Sequence, residues 1–203
     1  LGGFQGVVGW WMVKSGLTEQ ASVSQYRLAS HLAVALVIFS LLIWTGFDLR
    51  DGSAKSPKGH GMASLALLGI TILAGALVAG MDAGLLYNHY PLMGTGLVPI
   101  EYGEAGWLDP FENPASAQFH HRWIAAVTFG AVVVLALNAR RQGLHLRSNL
   151  VLGAVVVQFI LGIVTLLHGV PVALGGMHQA GAVVLLGCLL ALLHGESHHR
   201  QNI

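Results

Sequence analysis

Three histidines occupy similar positions in three long apolar segments, and their side chains could bind a metal-containing group. They are His31, His121 and His178. A helix rises about 1.5 Å per residue, so the first two would lie about 10 Å below one membrane surface, and His178 slightly shallower. An ionisable residue inside a membrane span is costly and indicates function. Three histidines at one depth in the membrane therefore indicate that all three serve the same kind of site.

The residues around the histidines favour a flat cofactor, and they distinguish His121 from the adjacent His120. Neighbouring residues point about 100° apart on a helix, so one pocket would take only one of the two. Bulky residues follow His120 on its face, whereas Ala125 and Thr128 follow His121. Small residues also lie within about one turn of the other histidines: Ala35 near His31, and Gly175, Gly181 and Ala182 near His178.

Haem iron between facing helices is the metal chemistry that suits these residues best. Haem takes axial histidines, and helix bundles build such sites between their helices. Zinc is less suitable because no Glu or Asp shares the histidine level. The alternative, that each histidine only hydrogen-bonds a neighbouring helix, stays open at this point.

The composition is that of a polytopic membrane protein. Only 9% of the 203 residues are charged, 54% are hydrophobic, and the mean hydropathy is +0.66. A soluble domain has about 25% charged residues. No basic stripe is present that would follow nucleic-acid phosphates. Cys188 is the single cysteine, which excludes a disulfide framework, an iron–sulfur cluster and a thiolate zinc site within one chain.

Six apolar segments define the predicted helices. The first, residues 1–13, is shorter than the twenty residues that a span needs. We read it as the end of a span, and therefore expect a C-terminal part of a longer protein. The other predicted spans are residues 23–47, 62–86, 114–137, 149–167 and about 176–193. Histidines in or beside the predicted loops and tail are expected to be solvated: His60, His145, His194, His198 and His199.

Loop charges predict the orientation of these spans, because basic residues concentrate on the cytoplasmic side. One side carries most of the basic residues: Arg50, Lys55, Lys58, Arg140, Arg141, Arg147 and Arg200. The other side carries Lys14, Arg27, Arg122 and most of the acids. The C-terminus is therefore expected on the cytoplasmic or matrix side, and the long acidic loop, residues 87–113, on the periplasmic or intermembrane side.

A short internal repeat indicates a duplicated bundle. The same Gln–Gly spacing occurs in the segments that precede His31 and His178: Gln5 with Gly9, and Gln158 with Gly162. Glycine at such positions permits close helix approach. We predict a complete C-terminal four-helix bundle in residues 62–203, with His121 opposite His178. Residues 1–47 would be the last two helices of a similar N-terminal bundle, and residues 48–61 a cytoplasmic linker.

Five motifs, in order along nearly the whole chain, resemble those of haem A synthases of the mitochondrial and alphaproteobacterial kind. They are residues 9–17, residues 23–31 ending in His31, residues 80–84 leading to Tyr87-Asn-His-Tyr-Pro-Leu-Met93, residues 113–122, and residues 174–181. The resemblance implies eight spans in two four-helix bundles. It also implies oxidation of a methyl group of haem O to a formyl group, which gives haem A for cytochrome oxidase.

The resemblance also assigns roles to residues. A b-type haem would lie in the C-terminal bundle between His121 and His178, and the substrate haem would use His31 in the N-terminal bundle. The family's remaining histidine and its catalytic glutamate lie on a helix before Leu1. The catalytic residues are therefore unknown here, and this chain alone is not expected to be competent.

Two arginines are candidates for pairing with haem propionates. Arg27 lies one turn before His31, and Arg122 adjoins His121. The alternative for both is that they extend to lipid headgroups.

Expected partners follow from the same reading: a haem O synthase supplies the substrate, while the electron partner and any homo-oligomer are left open. The expected location is a bacterial or mitochondrial inner membrane. The alternative function is a di-haem b-type cytochrome that exchanges electrons with quinone. A repeat-based transporter is disfavoured because the prolines lie in loops or at the start of a span.

Overall fold

The computed structural model describes residues 1–16, 24–55, 57 and 59–199. Lys58 and Arg200, which entered the orientation prediction, lie outside these residues. The described chain forms seven α-helices and no strand: α1 Gly2–Gly16, α2 Gln25–Asp51, α3 His60–Gly80, α4 Asp109–Glu112, α5 Pro114–Arg141, α6 His145–Leu167 and α7 Val172–His199. In this part of the chain, α2, α3, α5, α6 and α7 are long and apolar enough to cross a membrane. The prediction of an all-α polytopic membrane protein is confirmed.

Four of the long helices surround a common interior. Helix α3 packs against α5 and α7, and α6 packs against the same two helices, so α5 and α7 occupy opposite corners. Helix α2 packs outside this group, against α3 and α7, and α1 packs against α2. Side chains from all four helices form the core, including Leu68, Val132, Val151 and Leu189. Partly buried residues of α2, such as Phe39 and Trp44, extend that core outward.

The outer surface of the helices stays apolar, as a lipid environment requires. Val37, Leu41 and Leu42 of α2 are exposed, and so are Trp10 and Trp11 of α1. Lipid tails are as apolar as these side chains, so helix association depends on close packing rather than on burial from water. The glycine-rich contacts described below are therefore central to how the helices assemble.

Helix α5 begins where its sequence predicts. The Asn113 side chain accepts hydrogen bonds from the backbone N–H groups of Ala115 and Ser116, at 3.0 and 3.3 Å. Pro114 occupies the first turn, where its missing N–H leaves no intrahelical bond unmade. The Asn113 amide also donates to the carbonyl of Glu101. The cap therefore fastens the outer loop to the start of the helix that carries His121.

Several helix boundaries differ from the predicted spans, among them the ends of α2, α3 and α7. Helix α3 ends at Gly80 rather than near residue 86, because Asp82 adopts a left-handed φ of 51° and a 3₁₀ turn follows. Helix α2 continues to Asp51, so the first four residues of the predicted linker, 48–61, are helical. Helix α7 continues to His199, well beyond the predicted end at residue 193.

The extension of α7 packs against the end of α2, and this contradicts the prediction that His194 is solvated. His194 is fully buried. Its ring lies edge-on to Trp44, with 5.1 Å between centroids, and its Nε2 lies 3.0 Å from the Asp48 carboxylate. Nearby, Arg147 of α6 pairs with Asp51 at 2.6 Å. Polar residues at the ends of the spans therefore pair with one another here.

Candidate haem-binding site

A cavity of about 480 Å³ lies among α3, α5, α6 and α7, and both His121 and His178 line it. Its volume is within the usual range of ligand pockets, about 300–1,000 Å³. The two histidines come from α5 and α7, the helices at opposite corners of the group. Much of the remaining wall is glycine or apolar, including Gly75, Gly162 and Gly176. The fold thus brings two imidazoles to one slot with little bulk between them.

His121 is held by the facing turn of α3. Its Nδ1–H donates to the carbonyl of Thr71 at 3.1 Å. One turn later, Gly75 makes room for the ring, since a Cβ on this glycine would lie 3.0 Å from the His121 Cε1. Neutral imidazole has one N–H, so donation from Nδ1 leaves the lone pair of Nε2 for a metal.

His178 is held in a similar way by α6, with a side chain in place of the carbonyl. The Gln158 Nε2 lies 3.1 Å from the His178 Nδ1 and 2.9 Å from the His178 carbonyl oxygen. One turn later, Gly162 faces the ring, and a Cβ there would lie 2.8 Å from the His178 Cε1. The Cε1 of the imidazole therefore packs against α6 at Gly162.

His31 has similar surroundings in α1 and α2, outside the cavity. The Gln5 Nε2 lies 3.2 Å from the His31 Nδ1, 3.3 Å from its Nε2 and 3.2 Å from its carbonyl oxygen. A Cβ on Gly9 would lie 3.0 Å from the His31 Cε1. The Gln–Gly repeat found in the sequence is therefore a repeat of histidine contacts, not only of close helix approach.

His120 points away from the cavity and does not line it. Its Nδ1–H donates to the carbonyl of Ser116 at 2.7 Å, and its ring stacks on Tyr102 of the outer loop with 5.5 Å between centroids. Among the residues that the structure describes, His121 lines the cavity together with His178, and the adjacent His120 does not.

Gly181 has a different position from the one that its spacing suggested. It does not line the cavity. A Cβ at Gly181 would lie 2.3 Å from the Gln158 Oε1. This glycine therefore makes room for the glutamine amide rather than for a cofactor. Ala125 and Thr128, the small neighbours of His121, do line the cavity.

Arg122 lines the cavity and fastens the outer loop above it. Its guanidinium donates to the carbonyls of Tyr87, His89 and Leu92, at 2.6, 2.9 and 3.2 Å. Its Nε is buried and has no hydrogen-bond partner among the described residues. A haem propionate at this place would have to accept a hydrogen bond from Nε, or share Nη1 and Nη2 with the loop carbonyls.

Arg27, the second predicted propionate partner, does not line this cavity. Its guanidinium lies over the Trp11 ring, 4.8 Å from the centroid. This contact joins α2 to α1 beside His31, so Arg27 and the third histidine share one side of the molecule.

The outer loop carries two titratable groups with displaced pKa values. Burial raises the pKa of the Asp109 carboxyl, but hydrogen bonds lower it more, and the net pKa is below its ordinary value. The donors include the backbone N–H groups of Gly103 and Ala105, at 2.8 and 3.0 Å. The pKa of Tyr87 is raised, first because its hydroxyl donates to the Glu101 carboxylate at 2.6 Å. The Asp109 carboxylate is therefore stabilised in its ionised form.

The donor set of the cavity fits haem better than a protein-bound metal ion. Within the described residues, no three His, Cys, Asp or Glu side chains converge on a point where they could hold an ion. Haem supplies four ring nitrogens of its own and needs only axial ligands from the protein. Two imidazoles from opposite corners of a helix bundle meet that requirement.

Sequence reasoning did not identify the residues that hold the histidines. Gln5 and Gln158 were recognised only as a repeat, and Thr71 was not recognised at all. The signal that could have found Thr71 is its spacing from Gly75, since both other histidines also face a residue four positions before a glycine.

Comparison with known proteins agrees with the resemblance. Residues 1–190 match the family model described as cytochrome oxidase assembly protein. Proteins named haem A synthase are similar over most of this chain. That of Caulobacter vibrioides is 46% identical over 94% of the chain and 59% of its own length. That of Rhodospirillum centenum is 46% identical over 96% and 55%, and that of Rhizobium meliloti 43% identical over 96% and 56%.

The chain thus spans a little over half the length of these relatives. No solved structure matches the chain.

Proposed function

Because the chain belongs to the cytochrome oxidase assembly protein family, we propose that the protein of which it forms part is a haem A synthase. Its substrate is haem O, and one methyl group of this substrate is oxidised to a formyl group. The observation that carries the proposal is the paired placement of His121 and His178 across one cavity. The relatives support it over the quinone-linked cytochrome, since the curated ones are named haem A synthase.

The resident group that we assign to the cavity is a b-type haem, which His121 and His178 would hold through its iron. The fit rests on two facing imidazoles, on small residues between them, and on the lack of a third convergent ligand in the described residues. When bound, haem supplies one-electron transfer. The protein's own part is to orient the two rings and to exclude water.

Arg122 and the outer loop close the cavity at the proposed propionate edge. The guanidinium holds the carbonyls of residues 87–92 over the opening, and Tyr90 of this segment lines the cavity. Its buried Nε is the nitrogen that we propose for a propionate, because charge-assisted pairs of arginine with carboxylate are strong.

His31 is the ligand that we propose for the substrate haem, with Arg27 as a partner for its propionates. His31 is only partly buried, and α1 and α2 present large exposed apolar residues on their outer faces. We propose no catalytic residue within this chain. Residues 1–47 are then the substrate part and residues 62–203 the part that holds the resident haem.

We further propose that the C-terminus faces the cytoplasm or the matrix. Basic residues support this, because Arg50, Arg140 and Arg147 lie at the ends of α2, α5 and α6 on one side. A haem O synthase in the same membrane would supply the substrate. The electron partner is not assigned.

Haem A production by the full-length protein tests the proposal. In cells that lack their own haem A synthase, the full-length protein should restore haem A, and the His31→Ala variant should not. His120→Ala is the matched control, since His120 lies outside the cavity and should leave production intact. A protein that binds haem b but never yields haem A would contradict the proposal.

A further inference from the structure

We infer that Gln158 and Gln5 are positioning residues that orient His178 and His31 for iron through the Nδ1 atom of each ring. This inference rests on the proposed function and adds to it the two side chains that hold the ligands. Both glutamines lie four residues before the glycine on which the imidazole rests, Gly162 for His178 and Gly9 for His31.

The first step concerns the geometry around His178. The Gln158 Nε2 lies within hydrogen-bond distance of both the Nδ1 and the carbonyl oxygen of the same histidine. The Oε1 of Gln158 is buried and has no hydrogen-bond partner among the described residues. Gln5 makes related contacts at His31, although its Nε2 also lies 3.3 Å from the His31 Nε2, and its own Oε1 is buried and without a partner in the same part of the chain. A buried acceptor without a donor is unfavourable, so its recurrence at equivalent positions requires a reason.

The second step concerns the tautomer of the ring. When an amide nitrogen donates to Nδ1, the imidazole proton is on Nε2, and Nε2 has no lone pair for iron. A ring that binds iron through Nε2 carries its proton on Nδ1 and needs an acceptor there. The two ends of a glutamine amide have the same shape, so a half-turn of the amide exchanges them. That half-turn places the otherwise unpartnered Oε1 against the Nδ1–H of His178, and it gives up the hydrogen bond from the Gln158 Nε2 to the His178 carbonyl.

The third step is a comparison with His121, which needs no such rotation. Its Nδ1–H donates to a fixed backbone acceptor, the Thr71 carbonyl. His121 is therefore preset for iron, whereas His178 and His31 can hold either tautomer. Gly181 leaves the space that the Gln158 amide occupies, because a Cβ at this position would lie 2.3 Å from the Gln158 Oε1. Outer hydrogen bonds of this kind raise the basicity of a ligating histidine and lower the reduction potential of the iron.

The test is a redox titration of the resident haem in the purified full-length protein. Gln158→Leu removes the acceptor and should raise the midpoint potential, whereas Gln158→Glu strengthens it and should lower the potential. The expected change is about tenfold in the ratio of reduced to oxidised haem at fixed potential, about 59 mV for a one-electron couple. Gly181→Ala, which displaces the amide without altering it, should shift the potential in the direction of Gln158→Leu.

Gln142→Leu is the control with the same chemical change. Gln142 lies at the inner end of α5 and does not line the cavity. It should leave the potential unchanged. If the leucine and glutamate variants at Gln158 shift the potential in the same direction, or behave like Gln142→Leu, the inference is overturned.

A separate variant, His178→Ala, tests the proposed haem site itself. If it keeps the low-spin haem spectrum, the site assignment fails, whatever the glutamine variants show. If it loses that spectrum while the glutamine variants leave the potential unmoved, only the inference about the glutamines fails.

Discussion

Gly162→Ala should displace His178 and empty the proposed haem site while the protein stays folded. The added Cβ would lie 2.8 Å from the His178 Cε1 and 3.5 Å from both ring nitrogens, whereas ordinary contact begins at 3.4 Å. The ring or the helix must therefore move by about 0.6 Å, in an interior that is closely packed. Overpacking of this kind costs about 1–3 kcal/mol. The gain from replacing a helical glycine by alanine, about 0.5–1 kcal/mol, offsets part of this.

The net loss of stability is therefore small, but the ligand is displaced by more than the 0.5 Å or so that a preorganised site tolerates. The assay is haem content per protein together with the absorption spectrum of the low-spin haem, measured on the full-length protein. We expect little or no low-spin haem in Gly162→Ala, with a thermal midpoint within a few degrees of the parent. Gly75→Ala should have a weaker effect through His121, since its clash is milder, at 3.0 Å.

Gly153→Ala is the control on the same helix, because a Cβ there meets nothing within 4 Å. It should keep full haem content and be as stable as the parent or slightly more stable. A Gly162→Ala protein with full haem content and an unchanged spectrum would refute the reasoning that this glycine seats the ligand.

Three further predictions concern the loop and the inner ends of the helices. Asp109 has a lowered pKa, so its contribution to the stability of the outer loop is complete above the ordinary aspartate value of about 3.9 and is lost as pH falls through the folded pKa. Protease cleavage in residues 100–113 should therefore rise below about pH 4, and Asp109→Asn should remove that pH dependence. Arg122→Gln should increase hydrogen exchange at Tyr87–Leu92 by about tenfold, the loss of one charged hydrogen bond, and unchanged exchange there would contradict its fastening role. Asp51→Asn should lower the thermal midpoint by breaking the contact with Arg147, and it should add little further loss to Arg147→Gln; additive losses would show that the pair does not interact.

Much of the architecture is predictable because long apolar segments have few alternatives in a membrane. A span must satisfy its backbone internally, so apolar length predicts a helix, and Asn113 with Pro114 marks where α5 begins. The facing of His121 follows from its small neighbours for a similar reason, since a cavity needs room on one helix face. These inferences depend only on local periodicity.

Other features could not be predicted because they depend on contacts between distant segments. In the sequence His194 belongs to a polar tail, whereas in the structure it packs against Trp44 and Asp48 of α2. The spacing of Gly181 from His178 predicts room for a cofactor, but the neighbour of Gly181 is the Gln158 amide on another helix. The acceptor at Thr71 is a backbone carbonyl, which every residue has, so only the spacing of Thr71 from Gly75 points to it in the sequence. Hydrogen bonds to backbone carbonyls are therefore the contacts of this site that are hardest to predict from the sequence.

Analysis of the pigments extracted from the purified full-length protein is the most direct test of the central claim. We predict haem b together with haem O, haem A or an oxidised intermediate between them. Haem b as the sole pigment, from a protein produced in cells that contain haem O, would contradict the claim that this protein is a haem A synthase.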